Sequence, residues 1–294
     1  MLLREEFVQG QDYLDLVTTL LHRVRTADPT SGMWEAADLQ WWWRRARASD
    51  DHGQLFWTTG QREPVAAVIL TDWGRGRPWQ CDVISMPDCD EEQWQGIWAR
   101  ALSRMEELPL DAVEITVCDD DAMLLAAVEK AGFEPTGEIG ASSWLQSGQR
   151  LAVSPLPDGF RLLSRTETND RPHHMIARNG ADVAERLAQC SLYEPELDLL
   201  VEAADGTVAA YGLFWADPVT GVGLVEPMRT EEQYWRRGLA RHVLTTGLDR
   251  LATRGCTRLK VSSDLPLYLV VGFTPLVTDT TFVRRTGSAD ETRD

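Results

Sequence analysis

The sequence lacks most of what would place a chain on a membrane or outside the cell. No apolar run approaches the roughly 18 residues that a membrane-crossing helix requires, and no basic-then-apolar leader opens the chain. The five cysteines, Cys81, Cys89, Cys118, Cys190 and Cys256, are odd in number and scattered. No pair has metal-ligand spacing. The expectation is therefore a reducing, cytoplasmic setting, with no disulfide framework and no metal. Positive charge is also scarce. Against 46 Asp and Glu stand 29 Lys and Arg, a net charge of −17. A field of that sign disfavours nucleic-acid backbones and anionic membrane surfaces and favours small cationic partners, although plain solubility is a sufficient cause of it.

What is present reads as globular. Hydrophobic residues make up 43% and charged residues 26% of 294, enough for two cores. Twelve tryptophans sit mostly in apolar patterns and read as core or cleft lining. Three of them, Trp41, Trp42 and Trp43, are consecutive in a helical pattern over 36–48. They cannot all face one core, so the expectation is a packed hydrophobic corner or a cleft wall.

The apolar periodicity gives an order of elements. A weak strand over 2–8 precedes an amphipathic helix over 13–24 and the helix over 36–48. Strands over 54–59 and 64–71 form a hairpin, and 80–85 is another strand. A helix over 91–108, a strand over 112–117 and a helix over 123–130 follow. A return strand starts at Phe133 and a last one covers 139–145. The second half repeats the order. It has a strand over 159–163, a helix opened by Asp170, Arg171 and Pro172, a helix over 181–192, and a hairpin of 197–203 with 208–214 around Asp205 and Gly206. A strand over 223–226, a helix from Leu239, a strand over 258–261, a short helix at Tyr268 and a strand over 281–284 complete it. Short strings recur at nearly constant spacing: Glu91-Glu92-Gln93 as Glu231-Glu232-Gln233, and Gly132-Phe133-Glu134-Pro135 as Gly272-Phe273-Thr274-Pro275. That argues for duplication. The seam falls in 148–159, where Pro155, Pro157 and Gly159 break regular structure, dividing the chain into domains 1–150 and 151–294.

The most informative stretch runs from Leu224 to Leu251. An apolar strand meets Pro227, which cannot donate to a ladder. Helical spacing begins at Leu239 and continues through Val243, Leu244, Leu248 and Leu251. Between them lie Trp235, Arg236, Arg237, Gly238, Leu239 and Ala240. A glycine at the mouth of a helix exposes first-turn N–H groups that have no helical partner, and the positive end of the helix dipole lies there too. With two arginines beside it, the turn suits a pyrophosphate, though an ordinary helix start with a solvated arginine pair has the same letters. A second element separates these readings. After the strand over 258–261 comes Leu267-Tyr268 with Gly272-Phe273, the pattern L-Y-x-x-x-G-F.

This pairing resembles the GNAT acetyltransferase superfamily, whose loop reads (R/Q)-x-x-G-x-(G/A) and whose later helix carries LY and GF. The layout is similar to tandem proteins of the mycothiol synthase type. The resemblance implies an α/β (α+β) fold of two tandem domains, each a mixed, mostly antiparallel sheet flanked by helices. It implies acetyl-CoA as donor, no metal, and a small primary amine as acceptor, in a monomer or homodimer. Met228, Arg229 and Thr230 would hold the thioester and pantetheine. Arg236, Arg237, Gly238, Leu239, Ala240 and Arg241 would wrap the pyrophosphate. Tyr268 would protonate the leaving thiolate. Glu226, at the end of the central strand, is the candidate base, directly or through a water. A carboxylate there that orients substrate or pairs with an arginine is the alternative. His242 reads as structural, and His173 with His174 as an exposed pair or a substrate contact. Two positions depart from the pattern: Trp235 stands where an Arg or Gln is usual, and the turn before the LY helix is shortened to 262–266. In the first half, the spacing places Ile97 opposite Gly238 and Val128 opposite Tyr268, so domain 1–150 is expected to have lost its donor loop. A donor-binding module without turnover, and a transferase of the same fold that uses no CoA, are the rival functions.

Overall fold

The computed structural model describes residues 3–30 and 32–285. In chain order the elements are β1 (Arg4–Val8), α1 (Gly10–Ala27), α2 (Ala36–Trp43), β2 (Gln54–Thr58), β3 (Pro64–Thr71), β4 (Trp79–Ser85), α3 (Glu91–Glu107), β5 (Ala112–Cys118), α4 (Ala122–Lys130) and β6 (Glu134–Gln146). They continue as β7 (Phe160–Ser164), α5 (Ile176–Asn179), α6 (Val183–Ala188), β8 (Asp198–Ala203), β9 (Val208–Ala216), β10 (Val222–Thr230), α7 (Leu239–Thr253), β11 (Arg258–Val261), α8 (Pro266–Leu269) and β12 (Thr274–Arg285). The chain divides into two compact units. One takes its described residues from Met1–Met33, Arg47–Gly140 and Val277–Asp294, the other from Trp34–Ala46 and Ala141–Leu276.

In the first unit the strand order is β1-β2-β3-β4-β5-β12. All neighbours are antiparallel except β4 and β5. Helix α1 lays Leu14, Val17, Leu20, Leu21 and Val24 inward at helical spacing, as its sequence pattern predicts. Helix α3 buries Trp94, Ile97, Trp98, Ala101 and Met105 in one core with Leu55, Val68, Val113 and Ile115 of the strands. Its N-terminus is closed by Asp90, whose carboxylate accepts the Gln93 N–H at 2.8 Å.

The second unit has the order β7-β8-β9-β10-β11-β6, antiparallel except for β10 and β11. The two units share one plan, and the sixth strand of each comes from the other half of the sequence. Helix α7 packs Leu239, Val243, Leu244, Leu248 and Leu251 on Leu199, Val201, Phe214 and Val225. Contact there is close because position 247 is glycine: a Cβ would lie 2.1 Å from the Phe214 ring. Among the described residues, no helix is long and apolar enough to cross a membrane. All five cysteines are free.

Several elements differ from the periodicity. The two strands expected after Phe133 are one continuous strand, β6. Residue 2 of the first expected strand lies outside the described residues. Helix α2 ends at Trp43, where Arg44 turns back to donate to the Trp41 carbonyl at 2.9 Å and to Asn179 Oδ1 at 2.7 Å. Trp41 and Trp42 are buried, and Trp43 donates its indole N–H to Gln189 under the Arg186 guanidinium. The helix expected from Asp170 does not form. Its residues make turns, and only Ile176–Asn179 is helical. The expected helix over 181–192 shrinks to Val183–Ala188. The cause is tertiary: His173 and His174, expected to be exposed, turn inward onto Asp198 at 3.0 and 3.3 Å. Buried polar contacts there outweigh local helix propensity.

Candidate active site

The site begins with the proline in β10. Val225 pairs with Phe214 of β9, and the next pair is Met228 with Gly212, so Glu226 and Pro227 bulge out of the ladder. A residue without an N–H cannot hold a central ladder position, and a bulge is the outcome that chemistry allows. The displaced Glu226 carbonyl still has a partner, the Trp215 indole N–H at 2.8 Å. On the other side, β10 and β11 pair only over Val222–Leu224 and Arg258–Lys260. Beyond those residues the two parallel strands have no ladder bonds, which leaves a gap at their carboxyl ends.

The loop after β10 is compact. A turn of 3₁₀ helix covers Glu232–Tyr234. The Trp235 indole N–H donates to the Thr230 carbonyl at 2.8 Å while 58% of the residue stays exposed. Arg236 and Gly238 both have positive φ, +59° and +82°. Gly238 caps α7 with no side-chain hydrogen bond, and a Cβ there would meet no atom within 4 Å. The first-turn N–H groups of α7 therefore face open space, unlike those of α3 under Asp90. Over this helix end lies a cavity of about 540 Å³.

Of the nine residues expected to bind a donor, eight line this cavity: Met228, Arg229, Thr230, Arg236, Gly238, Leu239, Ala240 and Arg241. Arg237 does not, and its guanidinium lies 5.6 Å from the Tyr234 ring centroid. Tyr268 lines the same cavity from α8. It is buried edge-on against Phe273, and burial together with the charge of Glu226 pushes its hydroxyl pKa up to about 12. It stays protonated at neutral pH.

Glu226 is not in the cavity wall but is partly buried beside it. Burial first, and then the Asp38 carboxylate, raise its pKa to about 7, against the opposing Arg44 charge and a hydrogen bond from Trp41. All three neighbours come from segment 34–46, which belongs to this unit. That segment is held by a capping box in which Glu35 N–H donates to Asp38 at 2.7 Å, and by a buried ion pair of Glu35 with Lys260 of β11 at 3.1 Å. His242 is structural as expected: buried, with Nδ1 2.6 Å from the Ser154 carbonyl.

Sequence reasoning missed four lining residues, Tyr234, Trp235, Leu265 and Leu267. Three of them carry a signal in the sequence: Trp235 departs from the loop pattern, Leu265 sits in the shortened turn, and Leu267 opens the L-Y-x-x-x-G-F motif. The expected match of Ile97 to Gly238 is also corrected. Ile97 is a buried core residue in the middle of α3, and the residue that closes that helix end is Asp90.

Residues 158–273 match the model of the acetyltransferase (GNAT) family. No curated protein matches the sequence. Among solved structures, the chain is similar to a tandem GNAT protein from the clavulanic acid biosynthesis pathway, with TM-score 0.70 and 12% identity over 98% of this chain and 100% of that one. It is also similar to a GNAT protein from Sphaerobacter thermophilus, with TM-score 0.59 and 14% identity over 97% and 96%. One from Kribbella flavida gives TM-score 0.52 and 15% identity over 90% and 96%. At these identities the likeness is one of fold.

Proposed function

We propose that the chain, whose residues 158–273 match the model of the acetyltransferase (GNAT) family, transfers an acetyl group from acetyl-CoA to the primary amine of a small acceptor, with 151–294 as the catalytic domain. The observation that carries this reading is the uncapped N-terminus of α7 opening into the cavity at the β10 bulge. The first-turn N–H groups with Arg236 and Arg241 hold the pyrophosphate, and Arg237 adds charge from outside the wall. Met228, Arg229 and Thr230 hold the pantetheine arm and thioester. Glu226 takes the proton of the incoming ammonium, freeing the lone pair that attacks the carbonyl carbon. As the carbon–sulfur bond breaks, Tyr268 gives its proton to the sulfur. Two carboxylates and an indole, Glu226, Asp38 and Trp41, cluster at one place and favour a cationic acceptor, with the Arg44 charge beside them acting against it. Domain 1–150 binds no donor in this reading, because Asp90 already occupies the end of α3.

Calorimetric titration of acetyl-CoA tests the proposal. One site per chain is expected, lost in Gly238→Ile, whose side chain would fill the space over the helix end. The Asp90 end, unaltered, contributes no second site. Absence of binding to the wild-type protein overturns the reading. Trp235, in place of the usual Arg or Gln, favours a second reading of donor binding without turnover. Amine-dependent release of free thiol distinguishes the two.

A further inference from the structure

The second unit holds a group of side chains that the proposed chemistry does not use. His173, His174 and Asp198 each present a ligand-type atom, all within 4.8 Å of one another. Their side chains are 1%, 4% and 0% exposed. His173 Nε2 lies 3.0 Å from Asp198 Oδ2, and His174 Nε2 lies 3.3 Å from Asp198 Oδ1. The second contact is not a hydrogen bond. Among the described residues, neither ring nitrogen of His174 has a hydrogen-bond partner, and neither does Asp198 Oδ1. His174 Nε2 and Asp198 Oδ1 thus face each other with lone pairs or protons unmet, an arrangement that costs roughly 1–3 kcal/mol per group when nothing fills it.

We infer that His173, His174 and Asp198 bind one divalent transition-metal ion of the zinc class, which clasps the segment between β7 and β8 to the sheet of its own unit. Two imidazoles and a carboxylate are the donor set such ions prefer. Metal bonds of about 2.0–2.1 Å in a tetrahedron put neighbouring donors about 3.3–3.4 Å apart; each histidine lies 3.0 or 3.3 Å from its nearer Asp198 oxygen, and the whole set lies within 4.8 Å. A water or the second carboxylate oxygen completes the set. The supporting shell is present: the Tyr193 hydroxyl donates to Asp198 Oδ2 at 2.8 Å. The two imidazoles stack at 4.7 Å, and His174 meets Tyr211 edge-on at 5.1 Å. His173 Nδ1 now accepts the Met175 N–H at 3.2 Å, so its proton is on Nε2. On binding through Nε2, that proton moves to Nδ1, which then no longer accepts the Met175 N–H, and the ring releases no net proton. The clasp has something to hold. The only α-helices between β7 and β8 are α5 with 4 residues and α6 with 6, too short to stand by themselves. The expectation of no metal follows from cysteine spacing and from the family resemblance; this donor set contains no cysteine and lies outside the donor loop.

The test uses the full, untagged chain, stripped with chelator and dialysed, then titrated with Co2+ and with Zn2+. The expected result is one Co2+ per chain, with the visible ligand-field bands of low coordination number, displaced by Zn2+. A rise in Tm with Zn2+ should accompany it. In His174→Gln the bands and the Zn2+-dependent rise disappear. If that variant does not fold, Asp198→Asn takes its place with the same expectation. No stoichiometric uptake by the wild-type protein overturns the inference, as do bands unchanged in a folded variant. The readout needs no donor and no turnover, so it succeeds or fails independently of the proposed acetyl transfer.

Discussion

Glu226 and Tyr268 occupy one electrostatic neighbourhood, and the proposed reaction gives them opposite jobs. The carboxyl pKa of about 7 leaves Glu226 able to take a proton near neutrality, and the hydroxyl pKa of about 12 leaves Tyr268 able to give one. Activity of the wild-type enzyme is expected to rise with pH through about 7 and then level, since only the ionised carboxylate accepts a proton. In Glu226→Gln that limb vanishes and kcat falls by about 10²- to 10⁴-fold, which pH–rate profiles of the two proteins measure. Stability has the opposite sign. A carboxyl whose folded pKa lies above its unfolded value keeps its proton in the folded state while the unfolded chain ionises. Glu226 therefore destabilises the wild type progressively as pH rises from the ordinary carboxyl range through about 7. The Gln variant lacks this dependence. Denaturant midpoints across that range should converge at low pH and separate above it.

At the scale of elements, α3 and α7 show how one residue changes what a helix end does. Both helices follow a strand of the same plan and precede a parallel neighbour. Asp90 fills the end of α3 with its own carboxylate, and Gly238 leaves the end of α7 open to the cavity. The body of α7 is set just as closely. Phe214 fills the space against position 247, where a Cβ has no room. Gly247→Ala would gain helix propensity by about 0.8–1.0 kcal/mol, yet the ring of Phe214 must move. Overpacking is expected to dominate, with a loss of about 1–3 kcal/mol in urea unfolding. Donor affinity should fall with it, because α7 carries the loop proposed to bind the donor. Gly247→Ala with Phe214→Leu should recover part of the loss.

At the scale of the whole molecule, contacts far apart in sequence decide what surrounds the chemistry. Segment 34–46 lies near the start of the chain but packs in the unit that holds β10 and β11. Its Glu35 meets Lys260 with both side chains almost wholly buried, and Trp144 lies under the ammonium at 5.6 Å. Removing one member of such a pair strands the other charge away from water. Lys260→Met is expected to cost about 3–5 kcal/mol in denaturant unfolding. It should also shift the pH profile, since Asp38 is held beside Glu226 by the same capping box. The double variant Lys260→Met with Glu35→Gln should recover much of the loss.

Much of this was legible in the letters, and the reason is local. The amphipathic spacing of α1, the Asp205-Gly206 hairpin and the helix start at Leu239 each depend on periodicity or turn chemistry within a few residues. So did the irregular strand at Pro227, since a missing N–H disrupts a ladder whatever surrounds it. The glycine loop and the L-Y-x-x-x-G-F helix point together at the cavity that eight of the nine expected donor residues and Tyr268 line. Only the tertiary structure decided the rest. Periodicity marks α2 as a helix but does not say which core it joins, so Asp38, Trp41 and Arg44 could not be placed beside Glu226 beforehand. His173 and His174 read as surface because no local signal announces a carboxylate 24 or 25 positions away turning them inward. The sequence by itself determined most of the elements and the glycine turn before α7, whose causes act over short chain distances. The setting of Glu226 and the buried histidine–aspartate group depend on burial, a property that arises only when distant segments pack.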